Sequence, residues 1–193
     1  MIIGITGGTG CGKTTALQLI ADLGGLVIDC DRVYHELLKT DKAMLSAIEG
    51  RFPGTVEEGQ LNRKKLAAIV FADEKALLDL NATTHKAVKK EVLHLLETAP
   101  SLVAIDAIGL FEGELTDLCD TTLAITAPEE VRVARLTSRD GITEGQALAR
   151  IRAQKSQDWF VANCEHHLHN DGTKEEFRVK CIALYKKLGI IGK

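Results

Sequence analysis

The stretch that most constrains this chain is Ile2-Ile3-Gly4-Ile5-Thr6-Gly7-Gly8-Thr9-Gly10-Cys11-Gly12-Lys13-Thr14-Thr15. A short apolar run breaks into glycines and is followed at once by a helical apolar pattern, Ala16, Leu17, Leu19, Ile20 and Leu23. Gly7, Gly12, Lys13 and Thr14 fall at the spacing G-x-x-x-x-G-K-[ST]. Glycines let consecutive N–H groups turn inward as an anion nest. A helix opening at Gly12 adds its positive end to the same focus. Lys13 then reaches the β- and γ-phosphates as a point charge, and the Thr14 hydroxyl is placed for Mg²⁺. Strand, loop and helix come in the order this motif requires. The sequence therefore predicts a nucleoside-triphosphate site built from Gly8, Gly10, Cys11, Gly12, Lys13, Thr14 and Thr15.

Beyond that loop, short apolar runs alternate with amphipathic segments, the pattern of an α/β fold with a parallel five-stranded sheet flanked by helices. Strands are expected at Ile2–Thr6, Leu26–Asp29, Leu102–Asp106 and Thr122–Thr126, with a weaker one near Glu165–His169. Helices are expected near Gly12–Leu23, Arg32–Lys39, Lys42–Arg51, Arg63–Phe71, Glu74–Glu97, Pro128–Arg139, Thr143–Gln157 and Lys174–Leu188. Asp73 is the expected cap of the long helix that carries His85. At 193 residues the chain is the size of one domain with room for one insertion. The second and third strands are about seventy residues apart, far more than one crossover helix needs. That surplus, about residues 40–98, reads as a helical substrate-binding insertion over the sheet edge where ligands bind in open α/β folds.

A net charge of −3 gives no global field toward nucleic acid or an anionic membrane, so the expected partner is a small molecule drawn by local basic groups. The five cysteines form no C-x-x-C pair and read as the reduced thiols of a cytoplasmic protein. No apolar run approaches membrane-spanning length, and the start lacks a basic-then-apolar leader pattern. Oligomeric state is not legible.

Val27-Ile28-Asp29-Cys30-Asp31 ends the second strand with two carboxylates. A carboxylate near a transferring phosphoryl group can orient and deprotonate an attacking hydroxyl. Asp31 is the candidate for that role and Asp29 the more structural member, although Asp31 would also serve to cap a helix beginning at Arg32. Leu102-Val103-Ala104-Ile105-Asp106 is an apolar strand ending in an acid, the layout that stands a carboxylate behind Mg²⁺ and its water shell. Glu112 is a second acid nearby, and the two are not ranked by sequence.

Arg132, Arg135, Arg139, Arg150, Arg152 and Lys155 recur with helical spacing around a break at Asp140–Thr143. Residues 132, 135 and 139 share one face. Guanidinium forks suit triphosphate oxygens and transition-state charge, and Asp140-Gly141 is a natural hinge. Residues 139–157 therefore read as a lid, against the plainer alternative of a solvated basic face. In Cys164-Glu165-His166-His167-Leu168-His169 the histidines invite a metal site, but the segment reads better as the closing strand. No N-K-x-D tetrapeptide of a guanine-nucleotide switch occurs.

Together these residues resemble the dephospho-CoA kinase family over nearly the full length. Ile5-Thr6-Gly7-Gly8 is similar to its opening motif, and Val27-Ile28-Asp29-Cys30-Asp31 to its V-I-D-x-D segment. Gly59-x-Leu61-Asn62-Arg63, Leu110-Phe111-Glu112, Arg139-Asp140, Arg150-Ile151, Gln154 and Asn170-x-Gly172 match further motifs in order. The resemblance implies a P-loop kinase fold and ATP- and Mg²⁺-dependent phosphorylation of the ribose 3′-hydroxyl of dephospho-CoA. By the same resemblance Asp31 acts on that hydroxyl, and Thr6, Arg63, His85 and Leu110 lie at the acceptor site. Lys13 and Arg139 stabilise the transferred phosphoryl group, and Asn170 approaches the adenine. Some positions depart from the pattern. Lys86 follows His85 where the family has proline, Ile108-Gly109 replaces a Pro-Leu pair, and His35 replaces an arginine. Cys11 stands in place of a serine, which raises the expectation that thiol oxidation disturbs ATP binding.

Overall fold

The structure, a computed structural model, describes residues 1–192. In chain order the elements are β1 (Ile2–Thr6), α1 (Lys13–Asp22), β2 (Leu26–Asp29), α2 (Cys30–Thr40), α3 (Lys42–Arg51), β3 (Val56–Glu57), β4 (Gln60–Leu61), α4 (Arg63–Val70) and α5 (Glu74–Leu96). They continue with β5 (Val103–Asp106), β6 (Thr121–Thr126), α6 (Glu129–Asp140), α7 (Glu144–Arg152), α8 (Gln157–Asn163), β7 (His166–His169) and α9 (Lys174–Lys187).

Five strands form the expected parallel sheet in the order β2-β5-β1-β6-β7. β1 lies at its centre, pairing Ile3 with Ala104 of β5 on one side and with Thr121 of β6 on the other. Covered on both faces, β1 and β6 are buried almost throughout, which explains their unbroken apolar and threonine-rich runs. The chain divides into two compact units. The first comprises Met1–Ile28, Ala99–Leu110 and the chain from Leu115 onward. Its core joins Ile3, Ile5, Ile20, Leu123 and Ile125 to Phe177 and Tyr185 of α9. Burying an aromatic such as Phe177 stabilises by roughly 1.5–3 kcal/mol. The buried Tyr185 hydroxyl is satisfied by the Ala16 carbonyl of α1 at 3.0 Å.

The second unit, Asp29–Thr98 with Phe111–Glu114, is built along α5, against which α2, α3 and α4 pack. Ala76, Leu80, Thr84, Val88 and Val92 recur every fourth residue of α5 and form its buried stripe. Thr84 is tolerated there because its hydroxyl returns to the Leu80 carbonyl at 3.0 Å. As expected, Asp73 caps α5 by accepting the Lys75 N–H at 2.9 Å.

Two local expectations are corrected. The helix expected over Thr143–Gln157 is α7 and ends at Arg152, and an unexpected helix, α8, begins at Gln157, where the Ser156 side chain accepts the Trp159 N–H at 3.1 Å. α2 begins at Cys30 rather than Arg32, and Asp29 is its cap. A tight hairpin joins β3 to β4, turning through Glu58 and Gly59 with φ of +50° and +78°.

Candidate active site

The phosphate loop leaves β1 at Gly7, whose φ is +138°. A Cβ there would stand 2.1 Å from the Ile125 carbonyl oxygen, so only glycine lets the chain turn off β1 against β6. Gly12, with φ +94°, caps α1, and a Cβ on it would meet Asn170 Nδ2 at 2.3 Å. Between them the Cys11 N–H closes a turn onto the Gly8 carbonyl at 3.2 Å. Lys13 Nζ donates to the Gly7 carbonyl at 3.1 Å and lies 3.8 Å from Asp106 Oδ1. Thr14 is exposed in the first turn of α1, and the Thr6 hydroxyl donates to the Ile108 carbonyl at 3.3 Å. Leu110, fully buried, packs under Gly4 of β1, so it forms core beneath the strand that carries the loop.

The outer side of the loop is held by a ring of polar side chains. Thr9 is gripped at both ends: its N–H donates to Gln154 Oε1 and its carbonyl accepts from Arg132 Nε, each at 2.8 Å. Arg135 Nη1 donates to the carbonyls of Gly10 and Cys11 at 3.2 Å, and its Nη2 donates to Asn170 Oδ1 at 3.2 Å. Asn170, 3% exposed, donates in turn to the Cys11 carbonyl at 2.9 Å. With its carbonyls tied back in this way, the loop is left to present amides to an anion. Arg139, third on the same face of α6, is exposed and forks onto Asp140 instead, with Nε at 2.7 Å and Nη2 at 3.0 Å. Arg150 shares that carboxylate at 2.8 Å. The Arg139 guanidinium, with Arg150 adding, holds the Asp140 carboxyl below the usual range.

Sequence reasoning had named Arg132 and Arg135 only as part of a cationic row. The signal that sets them apart was present: Arg132 shares an i, i+4 face with Leu136, which is fully buried. Cys11, expected to make ATP binding sensitive to oxidation, has a thiol only 1% exposed, and burial pushes its pKa up despite nearby Lys13, which disfavours the thiolate.

In the second unit, Asp29 takes the capping role by accepting the Arg32 N–H at 3.0 Å. Asp31 stands exposed in the first turn of α2, and its side chain makes no hydrogen bond or ion pair among the described residues. Tyr34 lies within range of the Arg63 charge and stacks at a tilt on His35, ring centroids 5.7 Å apart. His85 Nδ1 is bonded to the Glu112 carbonyl at 3.1 Å. Beside it opens a cavity of about 560 Å³ lined by Lys86, Lys89, Lys90, Leu93 and Glu114. α5 runs unbroken through His85-Lys86, as lysine in place of proline allows.

Comparison with known proteins agrees with this architecture. The family model for dephospho-CoA kinase (CoaE) matches residues 1–176. A dephospho-CoA kinase of Carboxydothermus hydrogenoformans is 33% identical over 192 residues, covering 96% of this chain and 93% of the relative. A crystal structure of a Thermus thermophilus protein is 32% identical, with a TM-score of 0.81 and 97% of each chain covered. Dephospho-CoA kinase from Campylobacter jejuni, 23% identical, shares the fold with a TM-score of 0.66 over 98% of each chain. With a phosphate loop at the centre of its parallel sheet, the family model over residues 1–176 and the 33% identical relative covered over nearly its whole length place this chain in the dephospho-CoA kinase family.

Proposed function

We propose that this kinase transfers the γ-phosphoryl group of ATP to the ribose 3′-hydroxyl of dephospho-CoA, giving coenzyme A and ADP. The observation that carries the reading is the division of labour between the two acids after β2. Asp29 is committed to capping α2, and Asp31, two residues on, is left with both carboxylate oxygens available. Asp31 accepts the proton of the 3′-hydroxyl as its oxygen bonds to the γ-phosphorus, while the bond from that phosphorus to the β,γ-bridging oxygen breaks and ADP departs. Lys13, resting on the Gly7 carbonyl beside Asp106, exchanges that contact for the β- and γ-phosphates. Arg139 neutralises charge developing on the transferred group.

The donor set fits Mg²⁺. The exposed Thr14 hydroxyl is a hard oxygen donor beside the nest, and Asp106 supplies a carboxylate on the same unit. No cluster of three or more His, Cys, Asp or Glu side chains fit to hold a metal occurs among the described residues. That matches an ion held by few protein oxygens together with phosphates and water. Bound there, Mg²⁺ supplies charge neutralisation across the β- and γ-phosphates. Arg63 and His85 serve the acceptor. His85 does so while anchored to the Glu112 carbonyl, and Asn170 supports the nucleotide side.

The test is a panel of acceptors with radiolabelled ATP, with and without Mg²⁺. Label should pass to dephospho-CoA and not to nucleosides or nucleoside monophosphates. Transfer to a monophosphate and not to dephospho-CoA overturns the substrate assignment.

A further inference from the structure

Among the arginines near the phosphate loop, most have their N–H groups answered. Arg135 spreads its N–H groups over Gly10, Cys11 and Asn170, and Arg139 and Arg150 share Asp140. Arg132 differs. It is 3% exposed, its Nε is used on the Thr9 carbonyl, and its Nη2 is buried with no hydrogen-bond partner. Nη2 stands 2.3 Å from where a Gly8 Cβ would be, so the guanidinium occupies the space that glycine leaves open against the loop. Gln154 Oε1, which also borders that Gly8 position at 3.2 Å, is already committed to the Thr9 N–H. No ion pair to Arg132 is made among the described residues, and Glu129 acts on it only as a nearby charge that burial outweighs.

A buried guanidinium with a spare donor and no carboxylate bonded to it is costly, and a fold does not retain one for stability. Placed against an anion nest, however, it acts on a bound polyphosphate through a medium that screens charge far less than water does. We propose that Arg132 is a recognition residue for the nucleotide's phosphates, kept without a counter-ion until the polyphosphate supplies one and Nη2 gains its acceptor. Burial pulls its pKa below the usual value, which is the same penalty seen from the proton's side. The inference rests on the reading that a nucleotide binds at this loop, and it adds a residue that the phosphate-loop motif does not contain.

The experiment measures binding of ATP and of inorganic triphosphate by calorimetry, with the melting temperature of the unliganded protein, in wild type, Arg132→Gln and Arg132→Lys. Arg132→Gln should weaken both ligands by about tenfold, since one charge-assisted contact is lost. Its unliganded melting temperature should stay level or rise, because an unanswered buried charge has gone. Arg132→Lys, retaining the charge, should recover part of the affinity. Wild-type affinity in Arg132→Gln overturns the proposal. So does a loss of affinity that Arg132→Lys fully reproduces with a lowered unliganded melting temperature, the mark of a brace for Thr9 only. A wild-type protein that binds neither ligand fails at the earlier step and rejects the nucleotide reading itself.

Discussion

Asp140 grips the Arg139 guanidinium by both edges, at 2.7 and 3.0 Å, and holds Arg150 with the same carboxylate. The two arginines that flank the Asp140-Gly141 turn are thereby parked on an exposed acid at the end of α6, where Gly141 takes a left-handed conformation. Exchanging an exposed carboxylate for phosphate oxygens costs little, because surface ion pairs contribute only about 0–1 kcal/mol.

Replacing Arg139 with Ala should therefore leave the melting temperature nearly unchanged and lower kcat by about 10³-fold, the scale of a phosphoryl-transfer arginine. Lysine should rescue poorly, since it lacks the planar fork. Steady-state kinetics decide the point, and a kcat within a few-fold of wild type removes Arg139 from the reaction.

Asp31→Asn keeps shape and removes the base. ATP affinity should hold, because the loop is untouched, while kcat falls by about 10²–10⁴-fold. Calorimetry with ATP and a turnover assay on the same preparation separate the two effects. Asp29→Asn, by contrast, keeps a capping oxygen on the Arg32 N–H and should be nearly silent.

Gly7→Ala tests the turn off β1. The new methyl would meet a main-chain oxygen of β6 at 2.1 Å, and φ of +138° is itself strained for alanine. A loss of about 3 kcal/mol or more in denaturant unfolding is expected, together with loss of ATP binding. Full stability in this variant would mean that the loop leaves the strand along another path.

β7 carries a pH dependence. Thr126 Oγ1 is shared by His167 Nε2 at 2.7 Å and His169 Nδ1 at 2.8 Å. Partial desolvation of the otherwise exposed ring, and secondarily the charge of His169, hold the His167 pKa below its usual value. The folded state thus prefers neutral His167 and the unfolded chain takes up the proton more readily. The stabilisation is intact above the ordinary histidine pKa of about 6.5 and is lost as pH falls through the lower folded value. Melting temperatures from pH 8 to about pH 5 should show the decline, and His167→Gln should flatten it.

How much of this was legible in the sequence depends on what each residue answers to. The strands flanking β1 were readable because burial on both faces demands apolar runs, and the α5 cap was readable because Asp73 precedes a long periodic segment. β3 and β4 are two residues each, too short for any periodicity, and their turn places Glu58 at positive φ where glycine or asparagine is the usual signal. The α7–α8 break hid because Arg150 to Gln157 keeps helical composition, and Ser156 reads as a cap only once its side chain is seen on Trp159. Within the site, the motif spacing located the nest and Lys13. The bracing of Thr9 by Arg132 and Gln154 joins residues more than a hundred positions apart, and no local pattern encodes it.

Tyr185 on α9 closes over Ala16 of the phosphate-loop helix from 169 positions downstream. During synthesis, then, the segment that carries the phosphate loop leaves the ribosome before its supports, which follow as β5, β6, Asn170 and α9. Until those arrive, the nascent amino-terminal strand has exposed edges and no folded scaffold, the condition in which growing chains most need shielding. A message truncated before Arg132 would yield a protein carrying every residue of the phosphate motif without the ring of polar side chains that braces it.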